Sequence, residues 1–317
     1  MNIPKVSILL AALLFCATPL LAQPRALYSF LRNDAGARGA GLAGAVVALT
    51  GDPQIVAYNP ATLSTVDSAQ ISVTFLKHVL DINSGVITYA NDLSGFGDDG
   101  RFAVSANYVN YGSFDRADRN GQVSGSFGAF DLALSGAYSN LLDSNISYGV
   151  ALKFIANSLE NESSQAVAVD AGILYSIPES RVNIGLAVLH LGTQLSNLSG
   201  VSESLPVDVR VGFNHRLRGL PLLLNVSFHR LADDYEEAAD RLQNFAIGGE
   251  FYFSKAVHVR VGYDNQRRSD LSPDSEKKLA GFNGGLGILF DTFVLDYAVS
   301  SFGQAGEQHR FSLNFGI

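Results

Sequence analysis

The sequence has little cysteine, little charge and, beyond its first 22 residues, no long hydrophobic run. A single cysteine in 317 residues excludes a disulfide framework. Charged residues make up 16% of the chain and the formal net charge is -8, so the clustered lysine and arginine of a nucleic-acid-binding protein are missing. Without a stretch of roughly 20 apolar residues, any membrane-spanning structure in the body of the chain must be built from strands.

Residues 1–22 have the pattern of a secretory signal. Lys5 precedes an apolar stretch at 6–15, and Pro19 and the small residue Ala22 follow it. We expect cleavage after Ala22, which would also remove Cys16 and leave an acidic, exported chain without cysteine. The alternative is an uncleaved anchor helix, which Pro19 and the short apolar core disfavour.

From Gln70 to the end, large apolar residues recur at every second position, the period of a β-strand. In the last strand Phe311, Leu313, Phe315 and Ile317 alternate with Ser312, Asn314 and Gly316. A soluble sandwich would carry abundant Lys and Glu on its polar face. Here the polar positions are mostly Ser, Ala, Gly and Asn, which favours the narrow interior of a closed barrel.

About fourteen such runs follow one another, each 9 to 13 residues long, as expected of tilted strands that cross a bilayer. They lie near 69–79, 82–91, 101–111, 127–139, 145–157, 165–177, 181–192, 205–217, 221–231, 243–254, 256–265, 280–290, 293–302 and 307–317. The sequence therefore predicts an all-β fold, a 14-stranded antiparallel transmembrane β-barrel over 69–317 in a bacterial outer membrane.

The predicted connections alternate between long and short, as in barrels with short periplasmic turns and longer outside loops. The long loops are 112–126, 158–164, 192–204, 232–242 and 266–279, and the short turns are 140–144, 178–180, 218–220, residue 255 and 291–292. The first hairpin departs from this order, because Leu80 and Asp81 leave almost no outside loop. We interpret this as a sign that something occupies the barrel near strands one to three.

Residues 23–68 lack the strand period and are rich in Ala and Gly. We interpret them as a compact N-terminal plug, or hatch, that enters the periplasmic mouth of the barrel; a loosely ordered leader is the alternative. Within it Gly39, Gly41 and Gly44 spell the G-x-G-x-x-G of dinucleotide-binding loops. No strand precedes them and prolines follow, so close backbone packing is the better explanation.

No catalytic or metal-binding pattern stands out. The six histidines are scattered one to a strand or strand end, without H-x-x-x-H spacing, and no G-x-S-x-G elbow occurs. We therefore predict no enzymatic activity, metal or cofactor, although hydrolases embedded in barrels do exist.

Ionic residues of both signs fall on the inward positions of the predicted strands. They are Asp131, Lys153, Asp170, Asp208, Arg210, Arg216, Glu250, Arg260, Asp264 and Asp296. Pairing between them would offset the cost of removing charges from water, so we predict a charge network that fills the lumen, with a selective conduit as the alternative. An acidic loop with Asp233, Asp234, Glu236, Glu237 and Asp240 is either solvated or a docking surface.

Two N-terminal segments resemble the hatch of FadL-like outer-membrane barrels, whose signature is Asn-Pro-Ala. They are Gly36-Ala37-Arg38 leading to Gly41-Leu42-Ala43-Gly44-Ala45, and Tyr58-Asn59-Pro60-Ala61-Thr62-Leu63. Within that superfamily the details resemble the PorV/PorQ family of the type IX secretion system, closest to its PorQ-like members. Supporting segments are 28–31, 109–114, 205–213, 249–251 and 260–263.

The resemblance implies a fourteen-stranded barrel with an N-terminal plug, in which Asn59, Pro60 and Ala61 are hatch residues and Gly36, Gly39, Gly41 and Gly44 are hatch glycines. It also implies an anchor or docking platform that contacts membrane lipid and a PorZ-like surface protein and, through it, PorU-like and PorV-like components.

Two functions follow as hypotheses. The first is a component of type IX secretion that anchors the surface complex attaching secreted proteins. The second is a FadL-like transporter of hydrophobic small molecules, which would need an apolar channel past the plug. The small, polar residues on the inward face favour the first.

Overall fold

The computed structural model describes residues 27–317 apart from 79–81, 98, 199, 201, 236 and 272–278. The predicted signal sequence at 1–22 lies outside these residues, as do Leu80 and Asp81 of the first hairpin.

The described residues form fourteen antiparallel strands that close into one barrel, so the predicted fold class is confirmed. The strands are β1 Gln70–Lys77, β2 Asn83–Asp92, β3 Arg101–Ala117, β4 Val123–Asp143, β5 Ile146–Leu159, β6 Glu162–Ile177, β7 Val182–Ser196, β8 Asp208–Arg216, β9 Leu222–Phe228, β10 Phe245–Tyr252, β11 Val257–Asp264, β12 Phe282–Leu289, β13 Phe293–Ser301 and β14 Glu307–Gly316. Each strand pairs with its neighbours in sequence, and β1 pairs with β14, which places Phe75 opposite Phe311.

The outer surface of the barrel is apolar and the inner surface is polar. In β2, Ile87 is 51% exposed while the next residue, Thr88, is 1% exposed. The same alternation leaves Val73, Phe75, Val104, Leu152, Val169, Val211, Phe213, Val261, Leu286, Leu295 and Phe311 exposed on the outside. An even number of antiparallel strands with an outward apolar band is the architecture of bacterial outer-membrane barrels, so the predicted location is confirmed.

The barrel has a short-turn end and a long-loop end. Turns 144–145, 178–181, 217–221, 253–256 and 290–292 lie at the first, and loops 197–207, 229–244 and 265–281 lie at the second. Short connections mark the periplasmic side of such barrels. The long-loop end therefore faces outward.

Two loops predicted from the sequence are wrong. The segment 112–126 is mostly paired strand, because β3 continues to Ala117 and β4 begins at Val123, with Phe114 opposite Phe127. A bulge between Asn110 and Ser113 interrupts the two-residue period, which is why the pattern alone ended the strand early. The predicted loop 158–164 is likewise reduced to a turn at 160–161.

The helical elements are all short. Before β1 they are an α-helix at Ala37–Gly41 and 3₁₀ turns at Ser29–Arg32, Pro53–Ala57 and Pro60–Thr65; in the connections they are an α-helix at Asn265–Asp270 and 3₁₀ turns at Ser94–Phe96, Pro178–Ser180, Ala238–Gln243 and Gly303–Ala305. Within the described part of the chain, none of the helices is long and apolar enough to cross a membrane.

Residues 27–69, which we call the inner segment, pack against the inward face of the strands. At the long-loop end, the Tyr28 hydroxyl lies 2.9 Å from Ser164 Oγ at the start of β6. At the short-turn end, Thr50 lines the same cavity as Pro178 and Arg181. The segment therefore runs the length of the lumen instead of entering only its periplasmic mouth. Its role as a plug stays a prediction.

Candidate functional site in the barrel lumen

Glycines on the wall make room for the inner segment. Each of seven strands has one glycine that faces the inner segment at close range. They are Gly149, Gly172, Gly185, Gly212, Gly248, Gly262 and Gly285. A Cβ atom added at Gly248 would lie 2.8 Å from the carbonyl oxygen of Leu42, and one added at Gly172 would overlap the side chain of Asn59. The glycine backbone of the wall therefore contacts the inner segment directly, which leaves no space for a larger residue at these positions.

Asn59, Pro60 and Ala61 hold the inner segment against β5 and β6. Asn59 is extended and fully buried, and its side-chain oxygen accepts a hydrogen bond of 3.0 Å from the Ala61 amide. Its amide group donates to the carbonyl oxygens of Val47, at 2.8 Å, and Ile173, at 3.1 Å. One buried side chain thus links two parts of the segment and the barrel wall.

The four predicted hatch glycines lie inside the barrel around the helix Ala37–Gly41. They are Gly36 before the helix, Gly39 and Gly41 within it, and Gly44 after it. A Cβ atom at Gly41 would lie 3.2 Å from the Cα atom of Gly285, so the helix touches β12 through bare backbone. Gly44 has a φ angle of +75°, a conformation that favours glycine.

Glu250 on β10 joins the inner segment to the wall by ion pairs. Arg38 Nη2 lies 2.8 Å from Glu250 Oε2, and Arg260 Nε lies 2.7 Å from Glu250 Oε1. Arg260 Nη1 also lies 2.5 Å from Asp296 Oδ1. Removing one partner of such a buried group leaves an uncompensated charge, which typically costs about 3–5 kcal/mol.

The remaining predicted ionic residues form separate groups. Lys153 lies 2.5 Å from Asp170, and Arg210 lies 2.7 Å from Asp208. Asp131 has no cationic partner in the described chain and accepts hydrogen bonds of 2.6 Å from a tyrosine and an asparagine. Eight of the ten predicted ionic residues therefore fall into three ionic groups and one aspartate with uncharged partners, rather than one continuous network.

A cavity of about 480 Å³ opens at the long-loop end, and we call it the outer cavity. Its described lining includes five arginines and three aspartates: Arg32, Arg210, Arg230, Arg267 and Arg310, with Asp34, Asp264 and Asp270. Apolar residues, including Phe30, Ile82 and Phe302, complete the wall. The outer cavity thus combines apolar surface with an excess of cationic side chains.

Arg310 is the least satisfied of these cations. It is 2% exposed, and its guanidinium makes no hydrogen bond to any described residue. Its nearest carboxylate oxygen belongs to Asp34, 3.9 Å from Nη1. Asp34 is shared with Arg267, whose Nη2 lies 3.4 Å away. A buried guanidinium with this little compensation favours an anionic ligand.

Four charged residues of the site, Asp34, Arg38, Arg267 and Arg310, are not among the ionic residues predicted from the strand pattern. The alternation along β14 places Arg310 on the same face as Ser312, so strand parity could have identified it as inward. Asp34 and Arg38 lie outside any strand pattern. Only their tertiary contacts reveal them.

A small cavity of about 50 Å³ lies deeper, between the inner segment and strands β2 to β8. It shares Asn33 and Arg210 with the outer cavity, and Ser105, Ser135 and Lys153 line it further down. This middle cavity is therefore a neighbour of the outer cavity along the inner segment, and its wall consists mainly of small residues.

A third cavity, of about 550 Å³, opens at the short-turn end, and we call it the lower cavity. Thr50 and Gly51 of the inner segment form part of it, with Arg181 and Arg216 at the ends of β7 and β8. The guanidinium of Arg216 lies 4.2 Å from the ring centre of Tyr252.

The loop histidines beside the outer cavity are neutral at pH 7. Burial and the cation of Arg310 lower the pKa of His78 to about 4. Burial also lowers the pKa of His229, although Asp264 opposes the shift. Across the described residues, no group of three or more histidines and carboxylates has the arrangement of a metal site.

The sequence matches no known family model, and it matches no curated protein. The fold, however, is similar to that of solved outer-membrane transporters. The toluene transporter TbuX of Ralstonia pickettii aligns with a TM-score of 0.59 and 12% identity, over 89% of this chain and 98% of its own. The toluene transporter TodX of Pseudomonas putida aligns with a TM-score of 0.57 and 13% identity, over 88% of this chain and 96% of its own. A FadL homologue of Pseudomonas aeruginosa aligns with a TM-score of 0.52 and 13% identity, over 88% of this chain and 97% of its own.

Proposed function

We propose that the chain is an outer-membrane channel for small organic molecules, in which the inner segment is the plug. The observation that carries the proposal is the outer cavity, which opens at the long-loop end and shares Asn33 and Arg210 with the middle cavity beside the inner segment. The similarity in fold to two toluene transporters supports the same class of function. No enzymatic activity, cofactor or metal is part of the proposal.

The lining of the outer cavity defines the molecule that we expect. Phe30, Ile82 and Phe302 offer contact to an apolar body, and Arg310 offers an unsatisfied guanidinium to an anionic group. A neutral hydrocarbon would leave that buried cation without a hydrogen-bond acceptor, whereas a carboxylate would accept its hydrogen bonds. We therefore expect an amphipathic anion to bind better than its neutral counterpart.

The test compares dodecanoate with dodecanol, which differ in charge but share an alkyl chain. Equilibrium dialysis of the purified full chain in neutral detergent is expected to show tighter binding of dodecanoate. Arg310→Gln is expected to weaken dodecanoate binding about tenfold or more, because it removes a charge-assisted hydrogen bond, and to leave dodecanol unchanged. The control is Arg241→Gln, which removes an equal charge from loop 229–244 without lining the cavity. Failure of both probes to bind would contradict the proposal.

A second candidate is the anchoring role in type IX secretion suggested by the PorV/PorQ-like segments. It is favoured by the way the inner segment occupies the lumen, held through Arg38 and Asn59, because an anchor needs no open channel. In this proposal loop 229–244, with Asp233, Asp234 and Glu237, contacts a PorZ-like surface protein and, through it, PorU-like and PorV-like components.

Deleting the gene separates the two candidates. If the barrel is an anchor, secreted proteins are expected to lose their attachment to the cell surface, and a tagged barrel is expected to retain a surface protein on purification. Normal attachment with no retained partner would contradict the anchor. Defective uptake of amphipathic anions with normal attachment would support the channel.

A further inference from the structure

The lower cavity is lined by cations without carboxylates. Its charged lining residues in the described chain are Arg38, Arg181 and Arg216, and none of the described lining residues is Asp or Glu. The chain as a whole contains 30 acidic and 22 basic residues. A cavity lined by arginines without acidic residues is therefore unexpected from the composition of the chain. Arg38 is paired with Glu250, so the uncompensated charge is that of Arg181 and Arg216. Positive charge of this kind in a concave site concentrates anions.

Two of these arginines lie directly opposite each other. The Arg216 amide donates a 3.0 Å hydrogen bond to the Arg181 carbonyl oxygen, at the end of the ladder in which Val182 faces His215. Like charges in facing positions repel and destabilise a sheet. Neither side chain has a carboxylate within 4.0 Å in the described part of the protein. An anion bound between the guanidinium groups of Arg181 and Arg216 would attract both of them and offset their mutual repulsion.

The third arginine and an aromatic ring fix the geometry of the site. The Tyr252 hydroxyl donates a 2.9 Å hydrogen bond to Glu250, which holds the ring on which the Arg216 guanidinium stacks. Arg38 lies deeper, paired with Glu250, and also donates to the Thr50 carbonyl oxygen at 3.3 Å. Arg216 is therefore oriented by stacking, while its hydrogen-bond donors stay free for a ligand.

Arg181 adopts a left-handed backbone conformation, which is uncommon for residues other than glycine. Its φ angle is +54°, at the end of the turn Pro178–Ser180. A left-handed backbone at a non-glycine residue costs free energy and is concentrated at functional sites. Here it places the arginine at the rim of the lower cavity, opposite Arg216.

We propose that the lower cavity is a binding site for a polyanion, a molecule or group that carries two or more carboxylate or phosphate groups. Arg181 and Arg216 bind its oxygens at the rim of the cavity. Planar guanidinium groups match the paired oxygens of both chemistries. The site faces the periplasm and is separate from the outer cavity, so it does not depend on what crosses the barrel.

Isothermal titration calorimetry of the full chain in neutral detergent tests the site, with citrate as the probe. The test variant is Arg181→Asn with Arg216→Gln, in which asparagine tolerates the left-handed backbone. The matched control is Arg218→Gln with Lys255→Gln, which removes the same charge from the same end of the barrel but from residues that do not line the lower cavity.

Wild type and control are expected to bind citrate with similar affinity, and the test variant at least about tenfold more weakly, since two charge-assisted contacts are lost. Circular dichroism and the heat-induced shift in gel mobility report whether each variant is a folded barrel. An absence of citrate binding to the wild type would overturn the proposal. Equal losses in the test variant and in the control would also overturn it, because they would indicate diffuse attraction by the rim.

A second arm distinguishes a soluble solute from a lipid headgroup. The titration is repeated in nanodiscs of neutral phosphatidylcholine and in nanodiscs that also contain cardiolipin, whose headgroup carries two phosphate groups. If headgroup phosphates occupy the site, anionic nanodiscs are expected to weaken citrate binding to the wild type but not to the test variant. Equal citrate affinity in both nanodiscs would assign the site to a soluble polyanion. Each of these results supports the site and identifies its ligand.

Discussion

Arg38 of the inner segment and Glu250 of β10 form a two-contact ion pair, with Nη2–Oε2 at 2.8 Å and Nε–Oε1 at 3.1 Å. They are 212 residues apart in the sequence. Glu250 is fully buried, so the pair is protected from the screening that weakens surface ion pairs. The pair therefore ties the inner segment to the barrel wall.

Glu250→Gln is expected to destabilise the folded barrel. The substitution leaves the guanidinium groups of Arg38 and Arg260 buried beside a neutral amide, with a cost of about 3 kcal/mol for breaking a buried ion pair. Denaturant unfolding in detergent measures the loss, and proteolysis of residues 27–69 is expected to become faster. Glu179→Gln, in an exposed short turn, is the control. Equal stability of the two variants would contradict the role of Glu250.

Gly172→Ala is expected to displace the inner segment, because its new Cβ atom would overlap the Asn59 side chain. Overpacking of this kind typically costs about 1–3 kcal/mol. Gly136→Ala is the matched control, since nothing lies within 4 Å of the Cβ position on β4. Thermal unfolding of both variants is the measurement. A Gly172→Ala barrel as stable as the control would show that the segment does not rest against β6.

Arg310 and Arg260 are both 2% exposed, yet opposite effects are expected when each is replaced by Met. Arg260→Met breaks two buried ion pairs and is expected to lose about 3 kcal/mol or more. Arg310→Met removes a buried cation that lacks hydrogen bonds and is expected to be neutral or stabilising, while dodecanoate binding weakens. Denaturant midpoints and dialysis measure both effects. A large loss of stability in Arg310→Met would contradict a ligand-binding role.

Acidification is expected to destabilise the barrel through His78. Its folded pKa is about 4, whereas an unfolded histidine titrates at about 6.5, so the unfolded state binds more protons between these values. Stability should fall as the pH is lowered from about 6.5 towards 4, and this component should be absent from His78→Gln. His215→Gln, at the short-turn end, is the control. Denaturation midpoints across this pH range are the measurement, and an unchanged slope in His78→Gln would contradict the prediction.

The strand pattern was readable because a barrel imposes one simple condition on each strand. Alternate side chains face lipid or lumen, so Ile87 and Thr88 reveal their environments without knowledge of any other strand. The condition fails where a strand leaves the membrane. Beyond the bulge near Gly112, both faces of β3 are solvated and the alternation stops. The pattern therefore predicts a loop where the structure has an extended hairpin.

The turn at the Asn-Pro-Ala motif could also be predicted from the sequence, because it depends only on neighbouring residues. Pro60 begins a 3₁₀ turn and Asn59 caps it, which are properties of neighbouring residues. The partners of the same asparagine were not readable, since Ile173 lies 114 residues away.

The amino-acid sequence by itself determined the fourteen strands, their order and the side of each that faces lipid, because these depend on hydrophobicity at a two-residue spacing and on connections between neighbours. Tertiary structure alone decided which charges pair, that Arg310 stays without a hydrogen bond, and that Arg181 meets Arg216. Such relationships depend on register and closure, which bring side chains together at distances that no local pattern encodes.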